Sequence, residues 1–144
     1  MPQDKPDHHD ADLVLRVYDL RREPVMRQAR HAINREFWPR AYEDVQAVLK
    51  PEHPQNAAFR QVASYWEMVY SFPRHGIVHP EFWLENNGEG MFLYAKAAPF
   101  ADRLREDWLP VAFRNAEWAA KETVAGKRSF ETFTARIKKK LESR

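Results

Sequence analysis

Three charged residues stand at helix positions that would turn them inward, where they could carry acid–base chemistry. Glu67 lies on the one narrow polar stripe of an otherwise apolar stretch, residues 56–72. Glu89 precedes Leu93 by one helical turn, and Arg105 falls on an apolar stripe of the same periodic segment. Two carboxylates beside a base can transfer protons, but buried charges also pair structurally with one another. Because nothing in the sequence marks a cleft here, structural pairing is the preferred interpretation.

Four aromatic residues lie close together in the sequence around a sharp bend, namely Trp66, Tyr70, Phe82 and Trp83. They could line a small apolar pocket between helices. An apolar patch at this bend could equally form an interface between protein chains, and this is the preferred interpretation. Together with the three charged residues, these four are the candidate ligand-binding or interface residues.

The histidines give no pattern that predicts a metal site. His75 and His79 have a spacing that suits a metal on a helix, but a glycine and a proline in this stretch predict a turn instead. Two histidines and two aspartates within residues 8–12 have suitable ligand types, yet a polar tail holds no preformed geometry. We therefore expect no metal ligands.

Motifs of nucleophilic and nucleotide chemistry are absent from the sequence. The chain has no cysteine and only four glycines, and it lacks a Gly-x-Ser-x-Gly elbow and a phosphate-binding loop. The sequence predicts no catalytic residue and no cofactor, which leaves enzymatic activity open but disfavoured. Without a signal peptide, a disulfide framework or a run of about 18 apolar residues, a cytoplasmic protein with no membrane partner is expected.

The periodicity of apolar residues predicts an all-α fold, a single-domain bundle of six to eight helices. Its centre is a helix over about residues 57–72, which is apolar on most sides and therefore needs neighbours on most sides. Asn56 is the predicted N-cap of this helix. No stretch alternates long enough to indicate a strand. Residues 1–10 are expected to form a flexible acidic tail, and residues 11–144 a single helical domain.

Other helix boundaries follow from proline, glycine and capping residues. The first helix is predicted over residues 11–22, with Leu20 among its buried side chains. A break is expected at Pro99 within the periodic segment 89–107. Pro110 should open a helix that continues to about residue 124. Gly126 should end that segment, and Ser129 should cap a last helix.

Positive charge is concentrated towards the two ends of the chain. Residues 13–40 contain seven arginines and three acidic residues, and residues 121–144 contain eight basic and three acidic residues. Such asymmetry can indicate nucleic acid or an acidic partner. It is equally typical of terminal helices whose solvent faces are charged, so nucleic-acid binding is possible but not favoured.

From residue 56 to about residue 124, the order of aromatic, glycine and charged positions resembles a known family. The family comprises small all-helical bacterial proteins known only as a domain of unknown function. The resemblance implies an all-helical fold and a bacterial origin, and it implies no activity, cofactor or catalytic residue. It rests on Phe59, Tyr65, Trp66, Glu67, Gly76, Pro80, Leu84, Gly88, Glu89, Phe92, Leu93, Tyr94, Leu104, Arg105, Asn115, Ala116 and Glu117.

Three hypotheses about function remain from the sequence. The first is a non-enzymatic helical module that associates with itself or with another protein, because aromatic residues are abundant and no catalytic constellation is evident. The second is a small-molecule-binding protein or enzyme with a pocket near residues 66–83. The third is nucleic-acid binding through the basic terminal helices, which requires those helices to share one face.

Overall fold

The computed structural model describes residues 4–144, and this part of the chain is entirely helical and turn, with no strand. The fold class predicted from the sequence is confirmed. Nine α-helices and one 3-10 turn follow in order along these residues. They are α1 (His8–Arg22), α2 (Pro24–Glu36), α3 (Tyr42–Val48), α4 (Asn56–Arg74), α5 (Pro80–Asn86), α6 (Gly90–Ala97), the 3-10 turn Ala98–Phe100, α7 (Ala101–Asp107), α8 (Arg114–Glu122) and α9 (Val124–Glu142).

Helix α4 occupies the centre, as its apolar periodicity predicts. It packs against α2, α5 and α8, and its side chains Phe59, Val62 and Val69 are fully buried in the main hydrophobic core. Asn56 is not its N-cap, however. The Asn56 side chain instead donates to the Val48 carbonyl at 2.9 Å, which satisfies an orphan acceptor at the end of α3.

The first helix begins earlier than the sequence predicts, so the predicted tail over residues 1–10 is too long. Asp7 and Asp10 form a reciprocal capping box, in which each side chain accepts from the backbone N–H of the other. Asp10 is fully buried, and its Oδ1 also accepts from the His79 N–H at 2.9 Å. Residues 1–3 of the predicted tail lie outside the described part of the chain. At the other end of α1, Leu20 is exposed instead of buried.

Pro99 interrupts the long periodic segment, as predicted. α6, the 3-10 turn and α7 continue one another without an intervening loop and form one bent path. Gly90 starts this path where it crosses α4. A Cβ at Gly90 would lie 2.5 Å from the Tyr70 hydroxyl oxygen and 2.6 Å from the Trp66 ring, so only glycine leaves room for these two side chains against the start of α6.

The boundaries predicted between the last two helices are wrong. Residues 110–113 form turns, and α8 starts only at Arg114. α9 begins at Val124 and runs straight through Gly126 and Ser129, because Thr123 caps it by accepting from the Gly126 N–H at 2.9 Å. Glycine is needed at position 126 because a Cβ there would lie 2.3 Å from a backbone oxygen of α8.

None of the helices in residues 4–144 combines the length and the apolar character needed to cross a lipid bilayer.

Candidate functional site

A groove of about 650 Å³ opens between α4 and the segment that leads into α8. We call it the α4 groove. One wall consists of α4 side chains, and the other consists of the turns at residues 108–113 and the first residues of α8. Its lining residues are Arg60, Ala63, Ser64, Glu67, Arg74, His75, Trp108, Leu109, Val111, Ala112, Phe113, Arg114 and Asn115.

The turn segment presents apolar side chains to solvent because its other residues are anchored in the core. Phe113 is buried, with its ring centroid 6.5 Å from that of Phe59 and 6.1 Å from that of Tyr94. The backbone there is left-handed, with φ at 57°, a conformation that is costly for a bulky residue. The Ala112 carbonyl accepts from Arg105 Nε at 2.9 Å. The ring contacts of Phe113 and the hydrogen bond to Ala112 fix the end of the turn segment.

Three large apolar side chains are left exposed by this anchoring. Trp108, Leu109 and Val111 have exposed fractions of 37%, 41% and 62%. They lie within four consecutive positions, with Pro110 among them, and all three line the α4 groove. Clustered exposed apolar residues are typical of a surface that another molecule covers.

Glu67 is the carboxylate of the groove, and it is committed to the start of α8. Its two oxygens accept from the backbone N–H groups of Asn115 and Ala116 at 3.0 and 2.9 Å. A carboxylate suits this place, since the N-terminus of a helix carries partial positive charge and unpaired donors. Burial raises the pKa of Glu67, and the two amides and the nearby arginines oppose that rise.

The remaining charges of the groove are positive. Arg60, Arg74 and Arg114 are exposed along its length. Arg74 donates to the Asn115 side chain at 2.8 Å, and Arg114 donates to the Pro110 carbonyl at 3.1 Å. None of these three arginines forms an ion pair with any residue in the described range 4–144. The groove therefore combines apolar side chains with a positive rim.

A second groove of about 700 Å³ lies beside the first, along the same helix. Arg60 and Ser64 line both. The second groove adds two exposed apolar side chains, Leu20 from α1 and Met68 from α4, with exposed fractions of 55% and 40%. The outer face of α4 thus separates two adjoining concave surfaces, each with exposed apolar side chains.

The seven residues singled out from the sequence do not come together in one place. Trp66 and Tyr70 lie at the buried junction between α5 and α6, with their rings stacked at a centroid distance of 5.6 Å. The Tyr70 hydroxyl donates to the Asn87 carbonyl at 2.7 Å. Complete burial raises the pKa of Tyr70 well above its usual value. These side chains fill the core at this junction.

Charged groups seal the same junction. Arg21 is buried, donates to Asn87 Oδ1 at 2.9 Å and places its guanidinium 5.1 Å from the Trp66 ring centroid. Arg30 binds both oxygens of Glu89, at 2.8 and 2.7 Å. Donation of these hydrogen bonds to the Glu89 carboxylate raises the pKa of Arg30. Glu89 is therefore structurally paired, which was the preferred interpretation from the sequence.

Phe82 and Trp83 belong to α5, and Trp83 packs near the C-terminal end of α4. Trp83 is fully buried, stacks on Phe72 at a centroid distance of 5.3 Å and donates from Nε1 to the Val69 carbonyl at 2.9 Å. Phe82 is half-buried, and its N–H donates to the His79 side chain at the start of α5. Among the seven residues, only Glu67 lines the α4 groove.

Arg105 stands behind the groove and supports it. Its Nη1 donates to Glu117 at 2.9 Å, and its Nη2 has no hydrogen-bond partner among the described residues. Burial would raise the pKa of Glu117, but the hydrogen bond and charge of Arg105 hold it below its usual value. With the bond from Nε to the Ala112 carbonyl, Arg105 joins α7 to the last part of the turn and to α8.

The exposed residues of the groove were missed from the sequence for identifiable reasons. Trp108 fits an apolar stripe with Leu104 and therefore resembles a core residue, although the helix ends at Asp107. The signal that could have found the segment is the pair of large apolar residues on either side of Pro110. Proline commonly marks a turn or loop, so large apolar residues beside it are candidates for exposure.

The residues in the described range do not form a metal centre. No group of three or more histidine, aspartate or glutamate side chains in residues 4–144 is placed to hold a metal ion. His79 instead caps α5, where its Nδ1 accepts from the Phe82 N–H at 3.1 Å.

Comparison with known proteins places the chain in a family but not in a functional class. Neither the curated proteins nor the solved structures contain a match. One family model matches residues 6–123, which include α1 to α8 and both walls of the α4 groove. The match is wider than the resemblance over residues 56–124 noted from the sequence. This chain belongs to the family described as domain of unknown function DUF4760.

Proposed function

We propose that this protein is a binding module whose α4 groove receives an amphipathic segment of another protein. The observation that carries the proposal is the cluster of exposed apolar side chains formed by Trp108, Leu109 and Val111. Helix-in-groove binding places a few apolar anchors of the partner in such a concave surface. The neighbouring groove with Leu20 and Met68 would extend the contact.

The charge of the groove specifies the partner. Arg60, Arg74 and Arg114 carry no ion pair within the described residues, whereas the groove's carboxylate, Glu67, is already committed to two amides. A partner helix with leucine or aromatic residues on one face and glutamate or aspartate beside them would complement both features. Complementary charge favours the correct partner and speeds encounter. A bacterial origin and a cytoplasmic location of the protein itself remain predictions made from the sequence.

Affinity selection from a displayed library of helical peptides tests this proposal. Peptides enriched on the wild-type protein should carry apolar anchors flanked by acidic residues. They should lose at least about tenfold in affinity to Val111→Asp, which places a charge among the apolar contacts. The matched control is Val124→Asp, because Val124 is similarly exposed at 65% and does not line either groove. Absence of enriched peptides, or equal binding to both variants, would overturn the proposal.

Self-association is the alternative occupant of the same surface. A native mass spectrum of the purified protein would then give multiples of the 17.1 kDa chain, and Val111→Asp would reduce them to the single chain. The proposal predicts the single-chain mass for both proteins.

A small-molecule ligand is the second candidate function, and the groove's volume and its three arginines are the observations that favour it. Such a ligand would be an anion with an apolar part. It would give a reproducible additional mass in the native spectrum that disappears on denaturation.

A further inference from the structure

The end of the basic segment 13–40 meets the last turns of α9 at one corner of the molecule. Arg40, which follows α2, donates from Nη2 to the Leu141 carbonyl in the last turn of α9, at 2.7 Å. Lys140 of α9 places its ammonium 5.6 Å from the ring centroid of Trp38. We call the group Arg35, Trp38, Arg40, Arg136 and Lys140 the basic corner. It shares no residue with the α4 groove.

Aromatic rings form the floor of the basic corner. The ring of Trp38 lies 5.7 Å from that of Phe92, which lies 5.0 Å from that of Phe133. All three rings are half-buried. Arg136 stands 5.5 Å from the centroid of Phe133. From below, the buried Lys96 holds Trp38 and Phe92 at 4.0 and 4.2 Å, so the rings are fixed in place.

The positive charge of the basic corner is available to a ligand. Arg35, Arg40, Arg136 and Lys140 are all exposed. None of them is ion-paired with a residue of the described chain. Asp44, the acidic residue beside Arg40, accepts from the backbone N–H groups of Arg40 and Ala41 at 2.8 and 3.1 Å. Its charge is therefore directed at the start of α3.

The arrangement fits a linear polyanion better than a single phosphate or a membrane. Arg136 and Lys140 are one turn apart, which separates them by about 6 Å along α9, and Arg40 continues the row at the helix end. Membrane binding needs large apolar side chains that protrude. The large apolar residues exposed in the described chain all lie outside this corner.

We propose that the basic corner binds single-stranded nucleic acid. Phosphates would contact Arg40, Arg136 and Lys140, and an unpaired base would stack on Trp38 in place of the exposed Lys140 ammonium. Single-strand binding commonly combines a basic surface with an aromatic platform, because every base offers a ring face whatever its sequence. Duplex nucleic acid offers no free ring face and would bind more weakly here.

Fluorescence anisotropy with a labelled oligothymidylate strand at low salt tests this proposal. The double variant Arg136→Glu, Lys140→Glu should weaken binding by more than about tenfold and reduce the log–log salt slope by roughly 1.4, the value for two lost phosphate contacts. The control is Lys127→Glu, Arg128→Glu, which makes the same charge change at exposed positions of the same helix. It should weaken binding by less than about threefold.

A second variant examines the aromatic contact separately. Trp38→Leu keeps every charge and should weaken oligothymidylate binding by about tenfold, with its salt slope unchanged. Circular dichroism would establish that each variant remains folded. Equal losses in the two double variants, binding of a duplex as tight as that of the single strand, or binding of polyglutamate as tight as that of the oligonucleotide would each overturn the proposal. So would the absence of binding at low salt.

Discussion

The two faces of helix α4 differ in how far the rest of the protein covers their side chains. On the inner face, Trp66 and Tyr70 stack on each other beneath Gly90, and Trp83 of α5 donates to the backbone of α4. On the outer face, Ser64 and Met68 border open grooves. The large side chains of the inner face are covered by the rest of the protein, whereas Met68 on the outer face and Trp108 and Val111 beside it are exposed.

This difference separates residues that stabilise the fold from residues available to a ligand. Aromatic residues and charges close in sequence look equally functional until their partners are known. At the inner junction, Arg21 and Glu89 find side-chain partners within the protein. At the α4 groove, the arginines have no acidic partner within the described residues. A surface with unpaired charge and exposed apolar groups is the better candidate for binding.

Replacing one tryptophan of the core and one tryptophan of the α4 groove should give the largest difference in stability. Trp83→Ala should lower the free energy of unfolding by about 3–5 kcal/mol, because it opens a cavity in the core and removes the hydrogen bond to Val69. Trp108→Ala should cost less than about 1 kcal/mol, since Trp108 is already partly exposed. Urea denaturation of both variants measures the difference. Similar losses would show that the 108–111 turn is as much a part of the core as α5.

The buried Lys96 should make the stability of the folded protein depend on pH in the alkaline range. Its ammonium donates to the Ile33 and Asn34 carbonyls at 3.0 and 3.2 Å, and burial lowers its pKa from 10.5 to about 7. Between these values the unfolded chain keeps a proton that the folded protein has released. Stability should therefore rise with pH from about 7 towards 10.5, by up to about 1.4 kcal/mol per pH unit.

Lys96→Met should remove this rise, and Lys140→Met should keep it. Lys140 is the matched control because it stands beside the same Trp38 ring but is exposed. Urea denaturation of the three proteins across this pH range gives the slopes. Parallel slopes for wild type and Lys96→Met would mean that Lys96 stays protonated in the folded protein.

Glu67 links the two sides, and its loss should have an intermediate effect. Glu67→Ala removes the acceptor for the first N–H groups of α8 and should cost about 1–2 kcal/mol. In this variant, the amide hydrogen-exchange rates of Asn115 and Ala116 should increase more than those of other residues. An even loss of protection across the whole chain would instead show that Glu67 stabilises the fold as a whole and not the start of α8.

Charge at the outer face should leave stability almost unchanged. Val111→Asp alters a side chain that is 62% exposed, so the free energy of unfolding should change by no more than about 0.5 kcal/mol. Thermal denaturation of the variant and the wild type measures this change. The same variant should lose binding of the acidic helical peptides. Loss of stability and of binding together would place Val111 in the fold and not at an interface.

Much of the fold follows from local sequence. The apolar faces of α2 and α4 and the break at Pro99 can be predicted because helical periodicity and proline chemistry act within a few residues. The beginning of α1 was misplaced because Asp10 looks like a tail residue, while its burial depends on the distant His79 N–H. Gly126 suggests a helix end for the same reason, since the close approach of α8 that requires it is not visible in the sequence.

Less of the candidate site could be predicted. Sequence spacing identified Glu67, Glu89 and Arg105 as inward charges, and their partners Asn115, Arg30 and Glu117 come from other helices. The exposure of Trp108 depends on where α7 ends and on the left-handed Phe113 that holds the following turn. Which surface remains open is a property of how the helices pack, so apolar content alone does not reveal it.

The protein's own tryptophans can report which face of α4 a bound peptide contacts. In protein labelled with 5-fluorotryptophan, each of the five tryptophans gives a fluorine resonance that single Trp→Phe variants assign. Titration with a peptide selected on the wild-type protein should move the Trp108 resonance and leave those of Trp66 and Trp83 in place. A shift of the Trp66 or Trp83 resonance with an unchanged Trp108 resonance would instead place the binding site at the inner face of α4.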